Sequence, residues 1–258
     1  LSRVFLYQGE WENVIKQCDT ILMDKSYSLL DYNTLTTTSN VISAKSPETI
    51  FTSGATTYTN TPFLPFINYY FRASEEILAA YSSNDLRRKF YFRGYSAYAP
   101  RKMLNTKDGS CSDFFLLRLP EVYLNKAEAL AMLEKTTEAI ETIQTLREQR
   151  VKTGTLEDLQ LSGEELVNYI RNERRLELTF EGQRWFDLRR YAVCPKWPFQ
   201  KEIHHPYYVE TEIKGARVLR KYDEEPEFYV LPLPENEIVL NGGTLIQNAT
   251  REQKSEVM

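Results

Sequence analysis

The sequence has few of the residues that most catalytic sites need. Of its 258 residues only two are histidine, the neighbours His204 and His205, and three are cysteine. A single histidine pair leaves few candidates for acid–base chemistry, and a surface loop is the simplest place for it. The cysteines are odd in number and far apart, which indicates neither a disulfide framework nor a zinc site, although a Cys111–Cys194 bridge is left open. We interpret Cys18, in a helical pattern, as a small core residue.

Recognised catalytic and cofactor motifs are absent as well. The chain has no G-x-S-x-G, no H-E-x-x-H, no Walker A loop and no Rossmann glycine pattern. Each of these patterns positions a catalytic nucleophile, a metal ion or a bound phosphate. Their absence therefore argues against the commonest classes of enzyme. We therefore predict no catalytic residue, no metal site and no cofactor.

Long apolar runs and a cationic start are also missing. No stretch approaches the roughly 18 apolar residues that can cross a membrane, and no basic start followed by an apolar run marks a signal peptide. The chain opens on LSRVFLYQGEW, inside a helical pattern and without an initiating methionine. We therefore expect it to be the later part of a longer protein.

A basic excess is lacking too. The 32 lysines and arginines are outnumbered by 36 aspartates and glutamates, for a net charge of −4, whereas a surface that binds nucleic acid is usually basic. The exception is residues 87–95, RRKFYFRGY, in which cations and aromatics alternate as on some RNA-binding strands. No second run of this kind appears and acidic residues lie nearby, so nucleic acid is not predicted to be the partner.

Residues 164–191 combine the most charge with the most helical order. At 3.6 residues per turn the apolar side chains of the first part fall on one arc, and Glu173, Arg174 and Glu177 fall on that same arc. Beyond Gly182 a second helix is predicted, with the same mixture of apolar and charged side chains. Charges thus occupy positions where a core is expected.

Charges on an apolar face must be neutralised, because burying an unpaired carboxylate or guanidinium costs several kcal/mol. The simplest interpretation is a buried network of ion pairs that clamps helices together, and arginine suits it because its planar fork holds a carboxylate through two bonds. The alternative is that Glu173 and Glu177 act as acid and base or as metal ligands. Carboxylate metal sites in helix bundles need a Glu-x-x-His partner, and this stretch has no histidine. The predicted members of the network are Glu173, Arg174, Glu177, Glu181, Arg184 and Asp187.

The run at residues 171–191, RNERRLELTFEGQRWFDLRRY, resembles the signature of the SusD/RagB family of outer-membrane nutrient-binding lipoproteins from Bacteroidetes. The similarity is contiguous and includes an Arg-Asn-Glu-Arg-Arg start, a Phe-Glu-Gly centre and an Arg-Trp-x-Asp-Leu-Arg-Arg end. Near the end of the chain, LPLPENEI at residues 231–238 resembles the Leu-Pro-x-Pro-x-x-Glu-Ile segment common in the family.

Helix pairs account for most of the remaining order. Residues 1–23 predict two helices with a turn at Gly9, and residues 116–150 predict two more, with Lys135 and Thr136 where a tetratricopeptide-like pair usually has its turn glycine. Residues 164–191 supply a third pair. Such pairs must stack to bury their faces. We predict a mostly α fold, a tetratricopeptide-like helix-pair stack of the SusD-like kind.

The stack is predicted to be a single domain, residues 1–258, that lacks its N-terminal part. An irregular insertion at residues 24–110, rich in threonine and proline, interrupts it, with a short strand at 49–52 and a short helix at 74–80. A loop-rich C-terminal segment, residues 192–258, follows, which we interpret as extended segments and turns. Long insertions in a rigid stack are where binding loops usually lie.

The insertion carries the candidate ligand-binding residues. Sugar rings stack their flat apolar faces on exposed aromatics while their hydroxyls bond to amides and charged groups, and peptides also use aromatic-lined grooves. Ordinary packing is the competing explanation for each of these side chains. The predicted contact residues are Tyr58, Asn60, Phe63, Phe66 and Tyr69, with Trp197 of the C-terminal segment.

The resemblance also implies a function. It implies a lipid-anchored protein at the cell surface, on the outer membrane, that binds an oligosaccharide or peptide nutrient and delivers it, without catalysis, to a TonB-dependent SusC-like outer-membrane transporter. One alternative is a tetratricopeptide-type adaptor that binds a protein partner. Another is a glycan-cleaving enzyme, which would need a carboxylate pair about 5–10 Å apart across an open cleft. No candidate pair stands outside the predicted ion-pair network.

Overall fold

The computed structural model describes residues 1–36, 39, 41–52, 73–93, 96–102, 116–209 and 212–248. The chain divides into two compact units, Leu1–Arg184 and Trp185–Met258. The described part is mostly helical, as predicted. None of the helices in these ranges combines the length and the apolar character that a membrane crossing requires.

The first unit consists of helices and short strands. In chain order they are α1 (Ser2–Gln8), α2 (Trp11–Leu22), β1 (Thr49–Thr52), α3 (Glu75–Ala79), α4 (Arg87–Tyr91), β2 (Phe92–Arg93), β3 (Ser96–Pro100), β4 (Leu116–Arg118), α5 (Leu119–Met132), α6 (Thr136–Glu148) and α7 (Gly163–Glu177). Helix α5 lies at the centre and packs against α1, α2, α6 and α7. It is buried on nearly every side, and its alanines, Ala127, Ala129 and Ala131, let neighbouring helices approach closely.

The first two predicted helix pairs are present, and their turns differ in residue type. Gly9 ends α1 with φ of 73°, a left-handed conformation that glycine adopts without steric cost. Between α5 and α6 the left-handed position is taken by Glu134, with φ of 61°. The amide of the next residue, Lys135, donates to the carbonyl of Leu130 at 2.9 Å. The second turn therefore forms without the usual glycine.

The core of the first helix pair confirms one further prediction. Cys18 is fully buried among Leu6, Val14, Val122 and Ala129, and its thiol is free. Burial raises the pKa of the Cys18 thiol to about 12, so it stays protonated and unreactive at neutral pH.

The described part of the insertion is more regular than the sequence predicts. Strand β1 has the predicted bounds and pairs antiparallel with β4, directly before α5. The Ser74 hydroxyl caps α3 by accepting from the amide of Ile77 at 3.3 Å, as predicted. The run of cations and aromatics at residues 87–95 is not one continuous strand, because its first half forms helix α4. Helical spacing turns Arg87, Phe90 and Tyr91 inward together.

These pieces form a second apolar core next to the helix pairs. Its aromatic rings meet edge to face: the Tyr32 and Phe90 centroids are 5.6 Å apart, and those of Tyr81 and Phe92 are also 5.6 Å apart. Leu176 of α7 belongs to the same cluster. The described part of the insertion is therefore packed onto α7, the scaffold helix that carries three of the six residues of the predicted ion-pair network.

The second unit begins with helix α8 (Arg184–Ala192), whose first residue closes the first unit. Strands β5 (Ile203–Val209) and β6 (Glu212–Leu219) form an antiparallel hairpin with an irregular register at Tyr207 and Tyr208. Helix α9 (Glu235–Leu240) follows. The prediction of extended segments and turns here is wrong for α9, whose N-terminal turn holds Glu235 and Glu237, acids that stabilise a helix start. The pairing of α7 with α8 stays a prediction.

Candidate functional site

The end of α7 places carboxylates on its buried side. Glu173 and Glu177 lie one helical turn apart on the same face, and Glu181 lies in the turn that follows. All three are buried, and Glu177 is 0% exposed. Buried carboxylates of this kind need charged partners, because leaving one unpaired is strongly destabilising.

Three guanidinium groups surround the Glu177 carboxylate. Arg118 Nη1 donates to Oε1 at 2.6 Å, Arg150 Nε donates to Oε2 at 3.0 Å, and Arg87 Nη1 donates to Oε2 at 3.4 Å. All three arginines are buried as well. Three positive charges around one negative charge require further acids nearby.

Two of these arginines each hold a second acid. Arg118 donates Nε and Nη2 to the two oxygens of Glu181, at 2.9 and 2.6 Å. Arg150 Nη2 donates to Glu48 at 2.6 Å. The ammonium group of Lys102, also buried, donates to Glu181.

The third arginine links two more acids. Arg87 Nη2 donates to Asp85 at 2.6 Å and to Glu173 at 2.9 Å, and half-buried Arg147 lies 3.6 Å from Glu173. Five acidic and five basic side chains are joined in this way, so the cluster is neutral when all are charged. We call it the central ion-pair network; its members are Glu48, Asp85, Arg87, Lys102, Arg118, Arg147, Arg150, Glu173, Glu177 and Glu181.

The pKa values of the network show which forces dominate. Burial acts to lower the pKa of Arg118, yet attraction to Glu181 and Glu177 outweighs it and the pKa rises well above its ordinary value. Burial acts to raise the pKa of Glu177, yet attraction to Arg150 and Arg118 outweighs it and the pKa falls well below its ordinary value. Both groups are therefore charged at neutral pH and hold their protonation states firmly.

The network also completes the C-terminus of α7. Arg118 Nη2 donates to the main-chain carbonyl of Glu177 at 2.7 Å, and Lys102 donates to the same carbonyl. The Tyr81 hydroxyl donates to the carbonyl of Leu176 at 2.8 Å. The last carbonyls of a helix lack partners within it and carry partial negative charge. Cations and hydroxyls from the insertion and from β4 supply those partners.

A second buried set joins α7 to α5 and α1. Arg174 Nη1 donates to the side chain of Asn125 at 2.7 Å, and its Nη2 lies 3.8 Å from Glu121. Glu121 accepts from Arg3 Nε and Nη2 at 2.7 and 2.6 Å. Three helices are thus tied through one carboxylate and one amide.

The six predicted network residues are distributed as follows. Glu173, Glu177 and Glu181 are in the central ion-pair network, and Arg174 is in the second set. Within the second unit Asp187 accepts from Arg190 at 2.9 Å, three residues along α8. Arg184 is half-buried at the start of α8.

The cations that balance the α7 carboxylates come from elsewhere in the chain and were not singled out from the sequence. Arg118 ends β4 between Leu117 and Leu119, and Arg150 lies directly before buried Val151. An arginine in such an apolar setting is a signal of a buried ion pair that could have drawn attention to both. No local pattern of this kind marks Lys102.

The arrangement suits bracing better than chemistry. A general acid or base must exchange a proton near neutral pH, whereas Glu177 is saturated by cations. Within the described ranges, no group of three histidine, cysteine, aspartate or glutamate side chains could hold a metal ion. The contacts that Glu173 and Glu177 make with arginines therefore favour their interpretation as clamps.

The predicted ligand-binding residues fall mostly outside the described part of the chain. Five of them are not among the described residues, so their role stays a prediction: Tyr58, Asn60, Phe63, Phe66 and Tyr69. The remaining candidate belongs to the second unit. This residue, Trp197, is half-buried, has a left-handed φ of 55° and stacks with the ammonium of Lys196, 4.1 Å from the ring centre.

Known proteins are similar to this chain in sequence or in fold. Residues 25–250 match the SusD family. The chain is similar to SusD-like protein P2 of Formosa agariphila, with 31% identity over 160 residues, 60% of this chain and 29% of that protein. A SusD superfamily protein from Bacteroides thetaiotaomicron has a similar fold, with a TM-score of 0.67 and 19% identity over 96% of this chain and 56% of that one. Surface glycan-binding protein A from the same organism also has a similar fold. Its TM-score is 0.59 and its identity is 16%, over 96% of this chain and 62% of that one.

The two structural similarities show the fold alone, because both identities are below 25%. The chain spans less than two thirds of the length of each of these relatives. The family match, in contrast, covers most of the chain and includes the run at residues 171–191 on which the resemblance was based. This protein therefore belongs to the SusD family.

Proposed function

We propose that this protein binds an oligosaccharide at the cell surface and delivers it intact to a TonB-dependent, SusC-like outer-membrane transporter. The observation that carries the proposal is the SusD family match over residues 25–250. One protein of similar fold is named a surface glycan-binding protein. Lipid anchoring at the outer membrane and the transporter partner belong to the same proposal and rest on the family resemblance.

The central ion-pair network supports a role without catalysis. Glycosidases need one carboxyl group that holds a proton near neutral pH and a second that stays ionised, both facing the sugar. Glu177 instead has a pKa well below its ordinary value and is enclosed by arginines. In the proposed function these acids brace the scaffold while other side chains contact the sugar.

A binding screen tests the proposal. The probes are maltoheptaose, cellohexaose, xylohexaose, an inulin-derived fructan and a guluronate hexamer, with a tryptic casein digest as the peptide probe. The variants Tyr58→Ala, Phe63→Ala, Phe66→Ala and Trp197→Ala are compared with Phe51→Ala, which removes an exposed aromatic of β1. We expect at least one of the four to weaken sugar binding about tenfold, because a stacked ring contributes on the order of 1 kcal/mol.

The outcomes separate the candidate functions. Unchanged affinity in all four variants would remove the proposed aromatic platform. Peptide binding without sugar binding would favour the peptide ligand or the protein-binding adaptor. A second experiment tests the cellular location. A membrane-impermeant biotin reagent should label the full-length protein on intact cells. Labelling only after the cells are lysed would contradict a location at the cell surface.

A further inference from the structure

A cleft of about 370 Å³ lies in the first unit, on the side of the helix pairs. It is formed by the end of α2, the segment that follows, the start of α5 and the end of α6. Ligand pockets commonly have volumes of roughly 300–1,000 Å³, so this cleft has room for a short ligand. Its lining includes Asp24, Tyr27, Ser28, Leu119, Tyr123 and Gln149.

Aromatic and apolar side chains line part of the cleft. Tyr27 and Tyr123 are both half-buried, so part of each ring is accessible. Leu119, which is 3% exposed, also lines the cleft and is apolar. Burial raises the pKa of Tyr123, which keeps its hydroxyl protonated and able to donate. Partly exposed tyrosines offer a flat apolar face together with a polar tip.

Some polar side chains of the cleft make no hydrogen bond within the described part of the chain. They are those of Tyr27, Ser28, Tyr123 and Gln149. The Asp24 carboxylate, which is ionised at neutral pH, accepts from the amide of Ser26 at 2.9 Å, and this hydrogen bond lowers its pKa further. Hydroxyl, amide and carboxylate groups of this kind can pair with a ligand that has many hydroxyls.

The charge of the cleft narrows the ligand class. One acid, Asp24, and one base, Lys25, line it, so it carries no net charge. A phosphate or polyanionic ligand would require a basic excess. Peptide grooves offer a strand edge or a long apolar trough, whereas the lining is helices and a turn. A neutral ligand with flat apolar faces and many hydroxyls fits best.

We propose that this cleft is a second carbohydrate site, which takes one or two sugar rings of a neutral glycan. Tyr123 stacks on or donates to the sugar, and Gln149 and Asp24 bond to its hydroxyls. The site is proposed in addition to the contact residues predicted from the sequence. The inference rests on the proposed function, because a protein that binds no glycan has no use for such a site.

The test is a titration of the full chain with the four neutral oligosaccharides of the screen, followed by calorimetry and by saturation-transfer NMR. The variants are Tyr123→Ala, Tyr123→Phe and Gln149→Ala, and the matched control is Tyr7→Ala, which removes an exposed tyrosine of α1. We expect a second, weaker binding event that Tyr123→Ala reduces about 5- to 10-fold and that Tyr7→Ala leaves unchanged. Tyr123→Phe keeps the packing and should lose only the hydroxyl contribution.

The possible results separate this site from the proposed function. Loss of the second event in Tyr123→Ala, with unchanged binding at the site that Tyr58→Ala or Phe66→Ala weakens, supports the inference. Sugar binding that none of the three cleft variants changes overturns it and leaves the proposed function intact. A chain that binds no oligosaccharide overturns both. Binding of the casein digest that Tyr123→Ala weakens, without sugar binding there, overturns the carbohydrate assignment. Circular dichroism excludes unfolded variants before titration.

Discussion

At the scale of single residues, Glu177 decides how the buried charges balance. One carboxylate accepts from Arg87, Arg118 and Arg150, and each arginine is shared with another acid. A buried ion pair is weak support for stability when compared with an apolar pair of the same shape. Removing one partner is different, because it leaves uncompensated charge in a medium that solvates it poorly.

We therefore predict a large effect of Glu177→Gln. The substitution keeps the shape but removes the charge that three guanidiniums share, and it should lower the free energy of unfolding by about 3–5 kcal/mol. Urea unfolding followed by circular dichroism measures it. The control is Glu76→Gln, which breaks the exposed pair with Arg175 and should change stability by about 0–1 kcal/mol. Equal, small effects of the two substitutions would contradict the buried network.

Lys102 should titrate within the accessible alkaline range. Burial acts first to lower its pKa, attraction to Glu181 opposes that, and the pKa falls to about 8 from its ordinary 10.5. Between these values the unfolded chain binds more protons than the folded one, so the stability contributed by this residue rises with pH through that window. Relative to Lys102→Met, the unaltered protein should gain on the order of 3 kcal/mol from pH 7.5 to 10.5. A constant difference in urea unfolding across that range would contradict the low pKa.

At the scale of elements, the two helix turns require the same left-handed conformation but fill that position with different residue types. Gly9 and Glu134 both adopt a left-handed φ. Gly9→Ala should lower the free energy of unfolding by about 1–2 kcal/mol, because a side chain strains this conformation. Glu134→Gly should raise it by up to about 1 kcal/mol by relieving the same strain. Thermal and urea unfolding measure both, and effects of the same sign would contradict the turn geometry.

Helices of the first unit could be predicted from sequence because their apolar spacing is local. The period of 3.6 residues in α2, α5 and α7 depends only on neighbours along the chain. The extended segment at β5 was predicted, but its pairing with β6 was not, because prolines and aromatics in that segment obscure the alternation typical of strands. In α9 no side chain is buried, so no apolar face marks it.

The partners of the central ion-pair network could not be predicted for a different reason. Arg118 is 59 residues from Glu177 and Arg87 is 90 residues from it. Charge on an apolar helical face reveals that a partner must exist, but which distant cation meets it depends on tertiary packing. The sequence thus indicated the acids of α7 and left their cations unidentified. The candidate ligand residues of the insertion stay predictions because they lie outside the described part of the chain.

At the scale of the whole molecule, the network joins parts of the first unit that are distant in sequence. Glu48 precedes β1, Arg87 begins α4, and Arg118 ends β4, yet all meet at the end of α7. A scaffold of stacked helix pairs is stable only as a set. The network therefore holds the described part of the insertion to the helices that would support its binding loops.

Acid should loosen this attachment. The folded-state pKa values of Glu177 and Glu181 are both below their ordinary values. Their contribution to stability is therefore complete above pH 4.5 and is lost as the pH falls from 4.5 toward the lowered values. Urea unfolding at pH 7, 5, 4 and 3 should show a steep fall below 4.5, and Glu177→Gln should flatten it. A profile that is level between pH 5 and 3 in the unaltered protein would contradict the ionised network.

The central claim is that this SusD family protein binds a glycan with a braced scaffold and does not cut it. The most direct measurement incubates each oligosaccharide of the screen with a saturating concentration of the protein. Anion-exchange chromatography then measures how much of the oligosaccharide is recovered uncut. We predict saturable binding and complete recovery of uncut oligosaccharide. Shortened products that disappear with a folded Glu177→Gln variant would contradict the claim.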